Sequence, residues 1–490
     1  MEETRTAHRW RWAALVTLLV AEAMNLLDAT IVQVAAPVVQ RDLGGGEAAI
    51  QWFSAAYTLP FAVLLITGGR LGDRFGRRRV FTAGTAGFAL ASLACALAPG
   101  AGTLTGARAV QGAAAALIIP QTIGLIRAMF DGPELAKAFG WIGPVMGLSA
   151  VCGPILGSVL ADTVSWRAAF LVNVPLAVVV LATVPFLRED RAPSPPGMDP
   201  VGTALAVAGT ALVVYPLIQG ESAGWPLWTW TAMAAGLAVL ALFGLHQRRA
   251  AVRGRAPLVE PSLFADRGFP AALATSTLFF AVMNGLMVVI VLQVQLGLGR
   301  DVLTAGLTLL PWSGAMAVAS WTAGTHLVPR WGSRVMFAGL GVLLAGILAA
   351  IAVYGASGPG GYPWPLLGPL ALAGVGNGLF TVPFFTVALS RVRPHETGSA
   401  AGLLNAVQQF GGTLGIALLG SVFFQNLRDD GGLDAARASF WIAAALLAGA
   451  AVTALGLRTP ASRESRPAAR SAAREGTAPD RTGPGRPGRA

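Results

Sequence analysis

Fourteen mostly apolar stretches follow one another along the 490 residues of this chain, over 12–36, 49–69, 79–98, 103–126, 138–160, 168–187, 200–219, 227–245, 270–296, 302–324, 335–354, 364–389, 402–424 and 439–457. A helix needs about 17 to 25 such residues to cross a bilayer. In hydrocarbon each backbone polar group must be bonded inside its own segment, so every stretch reads as a transmembrane helix. Composition agrees: charged residues make up 12% of the chain, against about 25% in a soluble domain, and the mean hydropathy is +0.62.

A net charge of +11 in a soluble protein would point to nucleic acid, but its placement here argues against that partner. The arginines lie in loops between apolar runs and in a basic tail, without interleaved stacking aromatics. If both termini are cytoplasmic, the inner loops and termini together hold 29 Lys or Arg, and the outer loops hold five. One missed or invented helix would invert every later loop and destroy that asymmetry, so the count of spans is even. Arg5, Arg9 and Arg11 precede the first stretch, which is too long for a signal peptide and contains Asp28. It reads as an uncleaved first helix. Trp52, Trp166, Trp225, Trp228, Trp364 and Trp441 near span ends read as interface anchors. Cys95 and Cys152, inside apolar stretches, read as small buried hydrophobes.

An internal repeat divides the chain. GRLGDRFGRR after the second span has an eroded echo, GTHLVPRWGSR, after the tenth. GPELAKAFG after the fourth is echoed by PHETGSAAG after the twelfth, at a similar offset of about 260 residues. The division is then an N-terminal six-helix bundle (1–190), two inserted helices with a basic loop (191–269), a C-terminal six-helix bundle (270–458) and a tail (459–490) rich in Arg, Pro, Ser and Gly that reads as disordered.

Few ionisable groups fall inside the spans. Asp28 lies well within the first, where an ionised carboxylate costs about 3 kcal/mol or more. Burial disfavours the charged form, so such a group is suited to load and release a proton; the alternative is a carboxylate held ionised by a buried partner. Glu22 and Asn25 share a drifting stripe with Asp28, and Glu22 reads as a second proton site, a contact for a cationic substrate, or a solvated acid. Arg108 is the one arginine inside a span. It requires a partner, with Asp28, Glu22, backbone carbonyls and water all open, and the pair serves either coupling or structure. The later spans offer only neutral polar groups at their centres. Asn25, Gln33, Gln111, Asn284, Asn377 and Gln408 are the expected lining of a mostly apolar cavity. In the fifth span Gly143, Gly147, Gly153 and Gly157, with Pro144 and Pro154, permit close approach and bending and point to an interface between the bundles.

Nothing marks an enzyme. No GxxxxGK[ST] loop is present, so ATP is not the expected energy source. The four histidines are dispersed and no HExxH or paired CxxC occurs, so neither metal nor cofactor is expected.

Over residues 10–460 the chain resembles the fourteen-helix drug:proton antiporters of the major facilitator superfamily. Gly69 to Arg78 resembles the loop motif between helices 2 and 3, and Leu27 to Val32 the helix-1 motif of this branch. Arg108, Gln111 and Gly112 are similar to its helix-4 motif, and Gly147, Gly153, Pro154 and Gly157 to its helix-5 antiporter motif. Trp166, Arg167, Phe170, Asn173 and Pro175 resemble the stretch that follows. The resemblance implies an all-α integral membrane fold of two six-helix bundles plus two linker helices. It implies proton-driven efflux from the cell across the plasma membrane, with Asp28 and Arg108 in proton coupling and the proton gradient as energy source. Gly69, Asp73, Arg74, Gly76 and Arg77 would form a cytoplasmic conformational latch, and the helix-5 glycines an exporter-specific bend. The sequence departs from the pattern at Gln33, where asparagine is usual, at Ser158, where a second glycine is common, and at Glu22, where an apolar residue is usual.

The expected function is proton-coupled antiport of amphipathic, weakly cationic drugs or antibiotics by a monomer in the lipid bilayer, through alternating access. The alternative is a dedicated exporter or importer of one metabolite, such as a siderophore or an amino-acid derivative.

Overall fold

The computed structural model describes residues 10–457 apart from 131–133, 136, 139–140, 192–196, 256, 266, 358–361, 390–391, 393–396 and 430. The expected disordered tail lies outside the described residues. Fourteen helices are long and apolar enough to cross a membrane. They are α1 (Arg11–Leu43), α2 (Ala48–Phe75), α3 (Arg77–Ala96), α4 (Ala101–Met129), α5 (Val145–Thr163), α6 (Trp166–Phe186) and α7 (Pro200–Gly220). The rest are α8 (Leu227–Val252), α9 (Gly268–Gly297), α10 (Val302–Trp331), α11 (Arg334–Ala356), α12 (Trp364–Leu389), α13 (Ala400–Leu427) and α14 (Gly432–Leu457).

All fourteen coincide with the apolar stretches, and the differences lie at the ends. Helix α2 continues through Arg70, Asp73 and Arg74 to Phe75, because its backbone ladder outlasts its apolar character and stops only at Gly76, whose φ of 103° suits glycine. Helix α14 begins at Gly432 rather than 439; Asp434 and Arg437 hide its first two turns from a hydropathy reading. Trp166 is 3% exposed and donates Nε1 to Asp42, so it is a buried clamp between α1 and α6 rather than an interface anchor.

Helices α1–α6 and α9–α14 form the two six-helix bundles. Helix α5 packs against α1 of its own bundle and α10 of the other, while α2 meets α13 across the same divide. The inserted pair α7–α8 reaches the bundles through α7, which touches both α2 and α13. Ala55, Val214, Ile218 and Ala417 make a small apolar core at that three-helix junction.

The larger apolar cores are unequal in extent. One contains only residues between Ala14 and Leu187, and so belongs to the first bundle alone. The other joins the last part of α1 (Val32, Val34, Ala35, Ala36 and Val39) to Phe279, Leu286, Val289 and much of the second bundle. The bundles are therefore fused at the end of the molecule where α1 finishes. The arginine-bearing loops lie at the opposite end.

At the fused end the helices approach to backbone contact. An ideal Cβ on Gly157 would lie 2.9 Å from Ile31 Cα, so α5 can seat on α1 only with glycine there. Ser158 presses on Gly306 of α10: a Cβ at Gly306 would overlap the serine side chain and approach Pro154 O to 2.9 Å. Gly147, in contrast, faces open space, its nearest neighbour being Ala317 Cβ at 4.0 Å. Gly143 and Pro144 have side-chain surroundings outside the described residues. The last turn of α9 (Gln293–Gly297) is π-helical and carries Gln295, whose buried Nε2 donates to Val34 O at 2.8 Å.

Candidate functional site

The middle of α1 faces α4 where two helices bring their one deeply buried charge each. Asp28 is 0% and Arg108 1% exposed. An arginine so enclosed persists only if its charge is matched and its donors are used. Arg108 Nη1 donates to Asp28 Oδ2 at 2.5 Å and to Gln111 Oε1 at 2.7 Å, and Nε donates to the Phe53 carbonyl of α2 at 2.9 Å. The guanidinium also lies over Tyr57, 4.4 Å from the ring centroid, a desolvated cation–π contact.

The second carboxylate oxygen is equally occupied. Gln111 Nε2 donates to Asp28 Oδ1 at 2.8 Å, and Asn173 Nδ2 of α6 donates to the same oxygen at 2.7 Å. Gln111 also donates to Ser92 of α3 at 2.8 Å. Five of the six helices of the first bundle thus meet around one carboxylate. Asn173 Oδ1 accepts no bond among the described residues.

Along α1 toward the arginine-rich end, Asn25 is buried; its Nδ2 donates to Ala21 O at 2.9 Å and its Oδ1 accepts from the Tyr57 hydroxyl at 3.4 Å. Glu22, largely buried, faces the Thr122 hydroxyl of α4. Toward the fused end, Gln33 Nε2 reaches Asn284 Oδ1 of α9 at 3.4 Å, a polar contact between bundles.

A second charged cluster occupies the arginine-rich end of α2 and α3. Arg77 pairs with Asp73 at 2.5 Å and with Asp190, just after α6, at 3.1 Å, and its backbone N–H donates to Asp190 O. Glu189 accepts from the Arg78 N–H at 3.0 Å and lies against Gly76, where a Cβ would come within 2.7 Å of the carboxylate. Gly69 faces Pro120 of α4 at a distance that leaves room for a Cβ, 3.5 Å.

The sequence match agrees with this architecture. Residues 18–416 fit the family described as the Major Facilitator Superfamily. The chain belongs to that superfamily. Among curated relatives, the probable actinorhodin transporter of Streptomyces coelicolor is 44% identical over 84% of this chain and 72% of its own length. The puromycin resistance protein pur8 of Streptomyces alboniger is 37% identical over 84% and 82%. The multidrug resistance protein Stp of Mycobacterium tuberculosis is 36% identical over 81% and 73%. A crystal structure of an auto-inhibited POT family peptide transporter superposes with a TM-score of 0.65, covering 93% of this chain and 99% of that one at 17% identity. At that identity the likeness speaks for the fold. This major facilitator protein is a multi-pass membrane transporter and not an enzyme.

The structure gathers Asp28, Arg108 and Gln111 into one network and leaves others elsewhere. Gln111, expected to line a cavity, is 0% exposed and is instead a strut of the ion pair. Asn377 is 8% exposed and donates to Met316 Sδ at 3.0 Å, a contact between α10 and α12 within the second bundle. Gln408 is partly exposed, and its buried Oε1 finds no partner among the described residues. Arg74, expected as part of the latch, is exposed and lies over the Phe75 ring, 5.7 Å from its centroid, while Asp73 and Asp190 pair with Arg77. The sequence did not point to Ser92 or to the pair Glu189–Asp190, and it showed Asn173 without its partner. Asn173 was visible as part of a motif, but nothing in its spacing tells that α6 returns it to α1. The acidic pair stands just after α6, where an acid reads as ordinary loop polarity.

Proposed function

We propose that this protein exports amphipathic, weakly cationic organic compounds of the antibiotic or drug kind in exchange for protons, by alternating access. The arginine-rich end would then face the cytoplasm, as the bias of basic loops dictates. The relatives named for actinorhodin, puromycin resistance and multidrug resistance support the direction and the class of cargo. The observation that carries the coupling is the Asp28–Arg108 pair, a lone carboxylate sealed inside the first bundle against a lone guanidinium.

The network fits a proton switch because its bonds suit only the ionised acid. Protonation turns one carboxylate oxygen into a donor, which conflicts with Arg108 Nη1 and loosens the pair. Asn173 Oδ1, which accepts no bond among the described residues, offers an acceptor on a side chain that already touches Asp28. Asp28 lies two residues before Thr30 and three before Ile31, the residues on which α5 seats through Gly153 and Gly157. A change at Asp28 therefore acts on the same stretch of α1 that closes the fused end. Opening that end would proceed by rocking of the bundles about the buried site.

The two acids of α1 then divide the work. Asp28, which already accepts three hydrogen bonds, serves the proton. Glu22, largely buried with one hydroxyl partner and closer to the cytoplasmic side, is placed to meet a cation entering from within. Protonation of Asp28 from outside would favour release of the compound; its deprotonation toward the cytoplasm would restore the site.

Inverted vesicles energised with a defined pH gradient and a fluorescent lipophilic cation test this reading. Asp28→Asn should insert normally yet abolish gradient-driven accumulation, while Glu22→Gln should lower transport of the cation more than that of a neutral probe. Full gradient-driven transport by Asp28→Asn would overturn the coupling role.

A further inference from the structure

Helix α8 is the most lipid-facing of the fourteen, with only 11% of its apolar window buried. Where it reaches the arginine-rich face, the chain turns back and lays Val259, Pro261 and Phe264 along its last turns. The result is a cleft of about 160 Å³ between Phe243, Gly244, Gln247 and Arg248 on the helix and those three returning residues. Nearly all of its lining is apolar, and Phe264 is 45% exposed at its edge.

Arg248 lines this cleft, and the chain on either side of it is strongly basic. Arg248, Arg249, Arg253, Arg255 and Arg267 are all exposed, and none forms an ion pair among the described residues. Glu260, the one acid between the lining residues, lies within electrostatic range of Arg70 instead. An apolar slot at the level where a helix leaves the bilayer, flanked by unmatched guanidinium groups, has the chemistry of a bound anionic lipid: acyl carbon in the slot, phosphate on the arginines.

The cleft is also tied to the charged loop between α2 and α3. Arg70, three residues before Asp73, donates Nη1 to Gly197 O at 2.8 Å and Nη2 to Pro257 O. Pro257 is two residues from Val259, whose N–H donates to Gln247 Oε1 at 3.3 Å across the cleft floor. Gln247 in turn donates to Asp199, at the head of α7, at 2.9 Å. A ligand that wedges Val259 against Gln247 would therefore brace the segment held by Arg70.

We infer that the cleft between α8 and residues 257–264 is a binding site for one anionic phospholipid, which steadies the linker against the α2–α3 loop. The inference is independent of whether protons drive transport. The test uses the full chain, purified in detergent, mixed with dioleoylphosphatidylglycerol or dioleoylphosphatidylcholine and examined by native mass spectrometry. Arg248→Ala removes a phosphate anchor. Gly244→Phe fills the slot without disturbing the fold, because a Cβ at Gly244 meets nothing within 4 Å.

One phosphatidylglycerol should be retained in preference to phosphatidylcholine; Arg248→Ala should reduce its retention by about fivefold, the equivalent of ~1 kcal/mol for one basic contact at an anionic surface, and Gly244→Phe should reduce it by excluding the acyl chain. Equal retention of both lipids would overturn the proposal. So would retention unchanged by Gly244→Phe, since that would reduce the effect to diffuse attraction by the arginines.

Discussion

Replacing Asp28 by Asn and Arg108 by Gln, singly and then together, separates the energy of the buried pair from its use in transport. Asp28→Asn leaves a guanidinium that is 1% exposed without a counter-charge, and breaking such a pair costs about 3–5 kcal/mol. The geometry sharpens the estimate. The asparagine Oδ1 can still accept from Gln111 and Asn173, but its Nδ2 takes the place of the Oδ2 that lies 2.5 Å from Arg108 Nη1, so two donors face each other. Arg108→Gln leaves the carboxylate with two of its three bonds and no cation, at a similar cost. The double variant buries two amides and no charge, so its loss of stability should fall short of the summed single losses by at least ~2 kcal/mol. Denaturation of each purified variant in detergent measures the first part of the prediction. Flux in energised vesicles measures the second: the double variant should recover stability without recovering gradient-driven transport. A double variant as unstable as the sum of the singles would refute the buried pair. A stable double variant that still accumulates substrate against a gradient would refute its part in coupling.

Gly157→Ala should lower thermal stability by about 1–3 kcal/mol and slow transport, because its Cβ would meet Ile31 Cα at 2.9 Å, whereas Gly147→Ala, with 4.0 Å to Ala317, should be neutral in both assays. Asn173→Ala removes a buried donor from Asp28 Oδ1 and should destabilise by about 1–3 kcal/mol, read by denaturation in detergent. Asp301→Ala removes the side-chain cap that accepts from Thr304 N at 3.0 Å and should cost about 1 kcal/mol. The Thr304 hydroxyl first, and its capping N–H second, hold the Asp301 carboxyl below its usual 3.8. The cap is thus fully present at neutral pH and is lost as acid protonates the carboxylate, so wild type and variant should converge in stability as the pH falls through that range.

Much of this architecture was legible in the sequence because hydrocarbon leaves the backbone so few choices. Each apolar stretch became a helix, and the asymmetry of the arginines fixed an even number of spans. What hydropathy could not show is where a helix ends once it leaves the apolar layer, which is why the charged ends of α2 and α14 read as loops. At the candidate site, Asp28 and Arg108 announced themselves by the cost of burying them. Gln111 and Asn173 did not: an amide is tolerable almost anywhere within a bundle, so its spacing says nothing about which oxygen it serves. Gln111 was read as cavity lining and is a strut. Arg74 was read with its neighbours in a motif, yet it lies over Phe75 and the acids pair with Arg77 instead.

The serine at position 158 and the glycine at position 306 belong to different helices of different bundles, and each is intelligible only beside the other. What the seam between the bundles must conserve is a thickness, and either side can supply the missing methylene or give it up. Exporters that differ at one of these places are therefore better compared by the bulk summed over the facing pair than by the letter in either strand of the motif. Grafting a helix from one transporter into another without its opposite number should spoil the fit of the seam, even when each donor residue is the commoner choice.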